Sequence, residues 1–221
     1  MPLILHQEIT ALQRRMLDLG ARVGEAVRGA ISALETHDLN LASRIDSADS
    51  EIDAEEVALE EACLKVLALH QPVAVDLRLI IAILKINNDL ERIGDLAVYI
   101  ARRVRPQTDA APASPPQLSE LATRAVFMVD GALDAFVRMD RDAARNLCHG
   151  GETFGRAYDA LYRAMTQTLR ETRDAESIDA ALEYIIAGRS LQRICDHATN
   201  IAEDVVYMLD GIVVRHNHGS F

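Results

Sequence analysis

Apolar residues near the start of the chain recur alternately four and three positions apart: Leu5, Ile9, Leu12, Met16, Leu19, Val23, Ala26 and Ala30. That rhythm keeps one face of a helix apolar and predicts an a/d seam for packing against other helices. A second helix is predicted from about Leu39 to Leu69, with Ile45, Ala48, Ile52, Leu59, Ala62, Val66 and Leu69 along its seam. Pro72 closes it, because the residue before a proline avoids the α region. A third helix is predicted from about Val73 to Val104. At a rise of 1.5 Å per residue, helices of roughly 30 residues span ~45 Å and suit an elongated bundle. Beyond a proline-rich stretch the pattern resumes from about Leu118 to Met139, Asp140 to Thr172 and Glu176 to Gly211. No segment alternates convincingly with period two, so the fold class is all-α.

The two halves resemble each other. VRGAISA (Val27–Ala33) recurs as VDGALDA (Val129–Ala135), each followed five residues later by Asp38 or Asp140. LERIGDLAVYIA (Leu90–Ala101) recurs as LQRICDHATNIA (Leu191–Ala202), with seven of twelve positions identical. The offsets are 102 and 101 residues, so both pairs belong to one duplication. Four of the six prolines fall in RPQTDAAPASPPQ, a segment that cannot continue a helix. The predicted architecture is two tandem three-helix bundles: 1–105, a linker over 106–117, and 118–221 with a short C-terminal tail.

Composition narrows the functional classes. A net charge of −11 without a basic run argues against nucleic acid as a partner. The longest apolar candidate, Leu79 to Leu84, is far short of the roughly 18 residues of a membrane span. The N-terminus lacks the basic region of a signal peptide. Cys63, Cys148 and Cys195 are odd in number and lack CxxC spacing, which fits a reducing compartment; a cytoplasmic protein is expected. Their plainest role is as small buried helix residues.

One constellation bears chemistry. Asp49, Asp53, Glu56 and Glu60 follow at four, three and four residues and form a carboxylate stripe beside the seam of the second helix. Glu91 and Asp95 share a face of the third, one turn apart. Such stacked acids repel by a few tenths of a kcal/mol per neighbouring pair. Arg78, Lys85 or Arg92 would neutralise some; a hard metal cation would neutralise more, through oxygens converging from two helices. A solvated acidic face is the alternative reading of the same pattern. Di-iron oxygen chemistry would need Glu-x-x-His pairs, and no Glu here has His three residues on. Glycine-rich phosphate loops and nucleophile elbows are also absent from the sequence, so no enzyme is expected.

QPVAVDLRLI (Gln71–Ile80), LKINNDLERIGDLA (Leu84–Ala97) and RICDHATNIAEDVVYMLDG (Arg193–Gly211) resemble the PhoU family of phosphate-uptake regulators. The resemblance covers essentially the whole chain. It implies a cytoplasmic adaptor that links the ATPase subunit of a phosphate-specific ABC transporter to a membrane sensor histidine kinase. Such an adaptor represses the starvation response when phosphate is plentiful. It also implies iron or zinc bound through E(D)xxxD motifs, which match Asp49 and Asp53 on one helix and Glu91 and Asp95 on the next. Glu56 and Glu60 are outer or extra ligands in this reading. The metal is a divalent or trivalent ion, with manganese and magnesium as further candidates. Aligning the repeats places Gly151 opposite Asp49 and Gly155 opposite Asp53. Tyr158 and Tyr162 fall opposite Glu56 and Glu60, and Gln192 opposite Glu91; only Asp196 survives, opposite Asp95. One competent site is therefore expected, with at most a weak second one at Asp196 helped by Glu152, Asp159 and His197. A lateral homodimer is expected from the long exposed bundle grooves. The rival readings are a carboxylate-bridged metalloenzyme and a metal-binding structural bundle.

Overall fold

A computed structural model describes residues 3–106, 114–149 and 151–212, without the side chains of 151–153. Most of the proline-rich linker and the tail with His216 and His218 lie outside the described residues. The helices are α1 (Leu3–Thr36), α2 (Leu39–His70), α3 (Ala74–Ala101), α4 (Pro116–Arg138), α5 (Arg141–Cys148), α6 (Gly151–Glu171) and α7 (Ala175–Asp210). Among the described residues there is no strand. No described helix is long and apolar enough to cross a membrane.

The duplicated aspartates explain how each bundle makes its first turn. His37 and Met139 take positive φ of 55° and 52°, ending α1 and α4. The next backbone N–H then reaches back to a carbonyl, Asp38 to Ala33 at 3.0 Å and Asp140 to Ala135 at 2.9 Å. Asp38 caps α2 by accepting from the Leu41 N–H at 2.9 Å. Asp140 caps α5 by accepting from the Ala143 N–H at 3.0 Å. One local device, repeated 102 residues later, sets both corners.

The second copy departs from the prediction after that corner. The single helix expected over Asp140–Thr172 is divided, with α5 ending at Cys148 and α6 beginning at Gly151. Gly150 and Gly151 are the reason: each glycine in a helix interior costs about 1 kcal/mol relative to alanine. The end of α5 at Cys148 stands opposite Asp46 in the first copy, where α2 continues unbroken.

α1, α2 and α3 pack as one bundle, and α4, α5, α6 and α7 as the other. The most extensive contact of any pair is between bundles, α3 against α7, with α1 against α4 beside it. The apolar core is consequently one continuous cluster from Leu5 to Met208. α3 and α7 run antiparallel, since their polar contacts descend one helix as they climb the other. Lys85 pairs with Asp204. Asp89 accepts from Asn200 Nδ2 at 3.2 Å and meets His197 Nδ1 at 2.8 Å. Arg78 Nε donates to the Met208 carbonyl at 3.4 Å. Asp89 and Asp204 are buried, so these contacts satisfy charges that would otherwise be left stranded in the interface. All three cysteines are free. Burial pushes the Cys63 thiol up to about 12, in keeping with a packing role.

Candidate metal centre

The large residues Ile45, Ile52, Leu59 and Val66, seven apart, fix the rotation of α2, and all are buried. The positions that complete this seam fall four residues after each: Asp49, Glu56, Cys63 and His70, all at least half-buried. The expected Ala48 and Leu69 instead face solvent, Leu69 at 64% exposure. A methyl group has little apolar area to hide, so Ala48 could not turn the helix against its large neighbours. Two acids therefore lie in the seam itself, while Asp53 and Glu60 remain on its exposed flank.

Across the seam stand Asn87, Glu91 and Asp95, successive turns of one face of α3. The helices pack closely at Gly94: a Cβ there would lie 3.4 Å from Ile52 Cγ2, in ordinary contact. This closeness brings carboxylate oxygens of Asp49, Asp53 and Asp95 within 4.8 Å of one another. It is the one such grouping of metal-ligating side chains among the described residues. Glu91 is beside it rather than in it, one turn from Asp95. Glu56 is held by Asn87, whose Nδ2 donates to the Glu56 carbonyl at 2.9 Å and to Oε1 at 3.1 Å. Glu60 is exposed and touches the site only through its field on Glu56.

The electrostatics are those of a crowded acidic seam. Burial raises the Asp49 carboxyl above its ordinary value, and the Asp53 and Asp95 charges raise it further. Glu91 is raised by burial and then by Asp95, and Glu56 by burial and then by Glu60 and Asp53. Two oxygens within the seam, Asp49 Oδ1 and Glu91 Oε2, are buried without a hydrogen-bond donor. Arg92 is the near counter-charge. Its Nη1 donates to Asp95 Oδ2 at 3.1 Å, and its Nε lies 3.2 Å from Glu91 Oε2 at ion-pair distance without hydrogen-bond alignment. Arg102, held by Asp46 at 2.6 Å, lowers Asp49 from farther off. Arg78 and Lys85 do not serve the acids; both are committed to α7 in the bundle interface.

Asn87, which sequence reasoning passed over, positions the site from below. Its signal was available: it precedes Glu91 by four residues and Asp95 by eight. His197 and Asn200 both contact Asp89 between the bundles.

In the second bundle the same lattice of positions has different contents. Tyr158 packs against the core where Glu56 stands in the first copy, and Gly188 replaces Asn87. A Cβ at Gly188 would lie 2.3 Å from Leu161 Cδ2, so the glycine makes room for the larger side chains opposite. Asp196 is raised by burial, but its charged neighbours Arg189, His197 and Arg193 all lower it. It belongs to no ligand-spaced group among the described residues, and Asp159 is exposed. The Glu152 side chain lies outside the described residues.

The chain matches known proteins along nearly its whole length. The PhoU domain family model matches the chain twice, over residues 16–104 and 118–205. A phosphate-specific transport system accessory protein PhoU homolog from Pseudomonas aeruginosa is 38% identical over 211 residues, covering 95% of this chain and 86% of that protein. The accessory protein PhoU of Escherichia coli K12 is 32% identical over 216 residues, 96% of this chain and 88% of its own. The crystal structure of PhoU from P. aeruginosa superposes with a TM-score of 0.88 at 37% identity, covering 94% of this chain and 99% of that one. That of the phosphate transport system regulatory protein PhoU from Streptococcus pneumoniae gives 0.86 at 30% identity, covering 95% and 99%. Two family domains in tandem, on a helical frame shared along nearly its whole length with these solved structures, establish that the chain belongs to the PhoU family, a family of regulators rather than enzymes.

Proposed function

We propose that the chain is a cytoplasmic regulator of phosphate transport and phosphate-starvation signalling. It acts as an adaptor between the ATPase subunit of a phosphate-specific ABC transporter and a membrane sensor histidine kinase, and holds the response off when phosphate is plentiful. The observation behind this reading is the near-full-length likeness to proteins named as accessory or regulatory components of phosphate transport. One tip of the molecule supports an adaptor role. His70 Nε2 meets Glu8 Oε2 at 2.7 Å, which brings the start of α1 to the α2–α3 turn. Leu3, Ile4, Leu69, Val73 and Val75 are each at least 60% exposed there. The same turn holds Gln71 and Ala74 at φ of 44° and 49°, a conformation that non-glycine residues adopt only under constraint. Apolar side chains presented on a fixed turn suit the ATPase subunit as a docking partner.

The acidic seam holds a hard divalent or trivalent cation in this reading, with Asp49, Asp53 and Asp95 as ligands and Glu91 as the reserve oxygen donor. The fit rests on chemistry: an all-oxygen donor set from two helices, and two buried carboxylate oxygens without hydrogen donors. A bound cation would satisfy those oxygens and cancel the repulsion that raises Asp49 and Glu91. Iron, zinc, manganese and magnesium are the candidates.

Deleting the gene tests the regulatory role. Starvation genes should switch on in phosphate-rich medium, and unchanged expression would overturn the reading. Val73→Asp with Val75→Asp should reproduce the deletion and abolish capture of the transporter ATPase by the purified protein. Light scattering tests the homodimer, which a monomeric mass at micromolar concentration would remove.

A further inference from the structure

Where α3, α6 and α7 meet, beside the acidic seam but on the inter-bundle side, there is a cleft of about 510 Å³. Arg92, Asp95, Tyr99, Tyr158, Arg189 and Arg193 line it. Three guanidiniums against one carboxylate leave a formal charge of +2, on a chain whose net charge is −11. A concentration of positive charge this far against the overall balance calls for an anion. Nothing in the fold requires it, since Arg189 and Arg193 are exposed and an acidic surface there would be equally soluble.

The side chains are also poised rather than spent. Arg189 has hydrogen-bond and ring contacts with neutral groups, donating to Gln192 Oε1 at 2.6 Å and lying 6.0 Å above the Tyr158 ring, and its charge also lowers the Asp196 carboxyl. Arg193 sits one turn before Asp196 and lowers its carboxyl. Arg92 is tied to Asp95, which belongs both to this cleft and to the acid cluster. Guanidinium forks match the paired oxygens of phosphate, and each such contact is charge-assisted. The volume lies within the range of small-molecule sites, well beyond what a lone phosphate group fills. Tyr99 and Tyr158 add ring faces beside the charges.

We propose that this cleft binds a multiply charged, phosphate-bearing small molecule, held by Arg92, Arg189 and Arg193 between the two bundles. The choice of phosphate over carboxylate rests on the phosphate-regulation reading above. The placement has a corollary: Asp95 competes with the ligand for Arg92. Any influence that draws Asp95 toward the acid cluster leaves Arg92 held by Glu91 alone and freer to turn to the ligand, so occupancy of the two sites is favourably coupled.

Isothermal titration of the full chain, freed of metal and desalted, tests this with sodium tripolyphosphate, ATP, orthophosphate and citrate. Tripolyphosphate is expected to bind, with affinity falling as salt rises. Arg189→Gln with Arg193→Gln should weaken it at least tenfold, Asp95→Asn should tighten it, and Arg14→Gln on the far side of α1 should leave it unchanged. ATP binding more tightly than tripolyphosphate would support the proposal and assign the rings to a nucleoside; equal binding would support it with the phosphate chain alone as ligand. Orthophosphate as the tightest binder would overturn it, since a lone phosphate group does not fill the cleft. Citrate matching the phosphates would overturn it, as would absence of heat at millimolar ligand. Retained affinity in the double glutamine variant would also overturn it. If that variant loses its helical circular dichroism, Arg189→Lys with Arg193→Lys keeps the charge and should still bind several-fold more weakly. Undiminished binding in the lysine pair would then count against the fork geometry and the proposal. The starvation-gene readout of a deletion strain does not depend on any of these titrations, so the two readings fail separately.

Discussion

The two seams facing α3 and α7 are the same construction with opposite contents. In the first bundle the inward positions between large apolar residues are Asp49 and Glu56, met by Asn87, Glu91 and Asp95. Their counterparts by sequence in the second are Gly151 and Tyr158, with Gly188, Gln192 and Asp196. Substituting acid by tyrosine and asparagine by glycine are linked changes. The amide of Asn87 satisfies Glu56, whereas the missing side chain of Gly188 gives space to Leu161 and Tyr158. One seam keeps crowded, half-buried acids that repel one another; the other gives up most of that charge and packs Tyr158 against the core. A duplicated fold can thus divide its labour without moving a helix.

The strongest way to break this comparison is through metal content. Losing a partner that merely orients a ligand costs 10–100-fold in affinity, so Asp53→Asn, which removes a proposed ligand, should cost at least about 100-fold. Elemental analysis of purified protein should show loss in Asp53→Asn and Asp95→Asn and none in Asp196→Asn. Equal retention in all three would end the asymmetry.

A steric test comes next. Gly188→Ala forces a methyl group onto Leu161, and overpacking outweighs the gain in helix propensity, for a net loss of about 1–2 kcal/mol in urea denaturation. Gly155→Ala carries the opposite sign. No atom lies within 4 Å of a Cβ built there, so it should stabilise by about 0.5–1 kcal/mol. Gly155 stands where Asp53 does in the first bundle, so an open position was left when the acid was lost.

The smallest effect concerns pH. The folded state raises Asp49 above its ordinary 3.8, so it binds that proton more tightly than the unfolded chain does. Stability from this group therefore falls as pH climbs from about 3.8 through the raised value. In metal-free protein Asp49→Asn removes the repulsion from Asp53 and should gain a few tenths of a kcal/mol at pH 7. The gain should vanish at pH 3.5 and reverse once metal is added. Thermal melts across pH, with and without metal, report all three signs.

Much of this was legible in the sequence because it is periodic. The seam of α1 was read correctly except at Ala26, which is only partly buried while Val27 beside it takes the core position, and Asp38 and Asp140 stood out as a repeated pair before their capping role was visible. The division of the fifth predicted helix was missed although Gly150-Gly151 announced it, because a duplicated pattern invited a duplicated helix. The α2 seam was misread for a deeper reason. Between Ile45 and Ile52 the inward residue can be the third or the fourth along, and hydrophobicity favours Ala48 over Asp49. Only packing against α3 decides, and that is tertiary information. The same ambiguity hid Asn87 and the true partners of Lys85 and Arg78, which lie more than a hundred residues away.

Arg28 and Asp130, whose Nη1 and Oδ1 lie 2.9 Å apart across α1 and α4, occupy the same place in the two copies of the repeated segment. In an assembly of two identical single-unit chains that position would face itself, arginine against arginine or aspartate against aspartate. Joining the units in one polypeptide frees each copy to take the opposite sign. The bridge is something a symmetric ancestor could not have made; half-exposed, it adds little energy, but it favours this one pairing of the halves over its mirror.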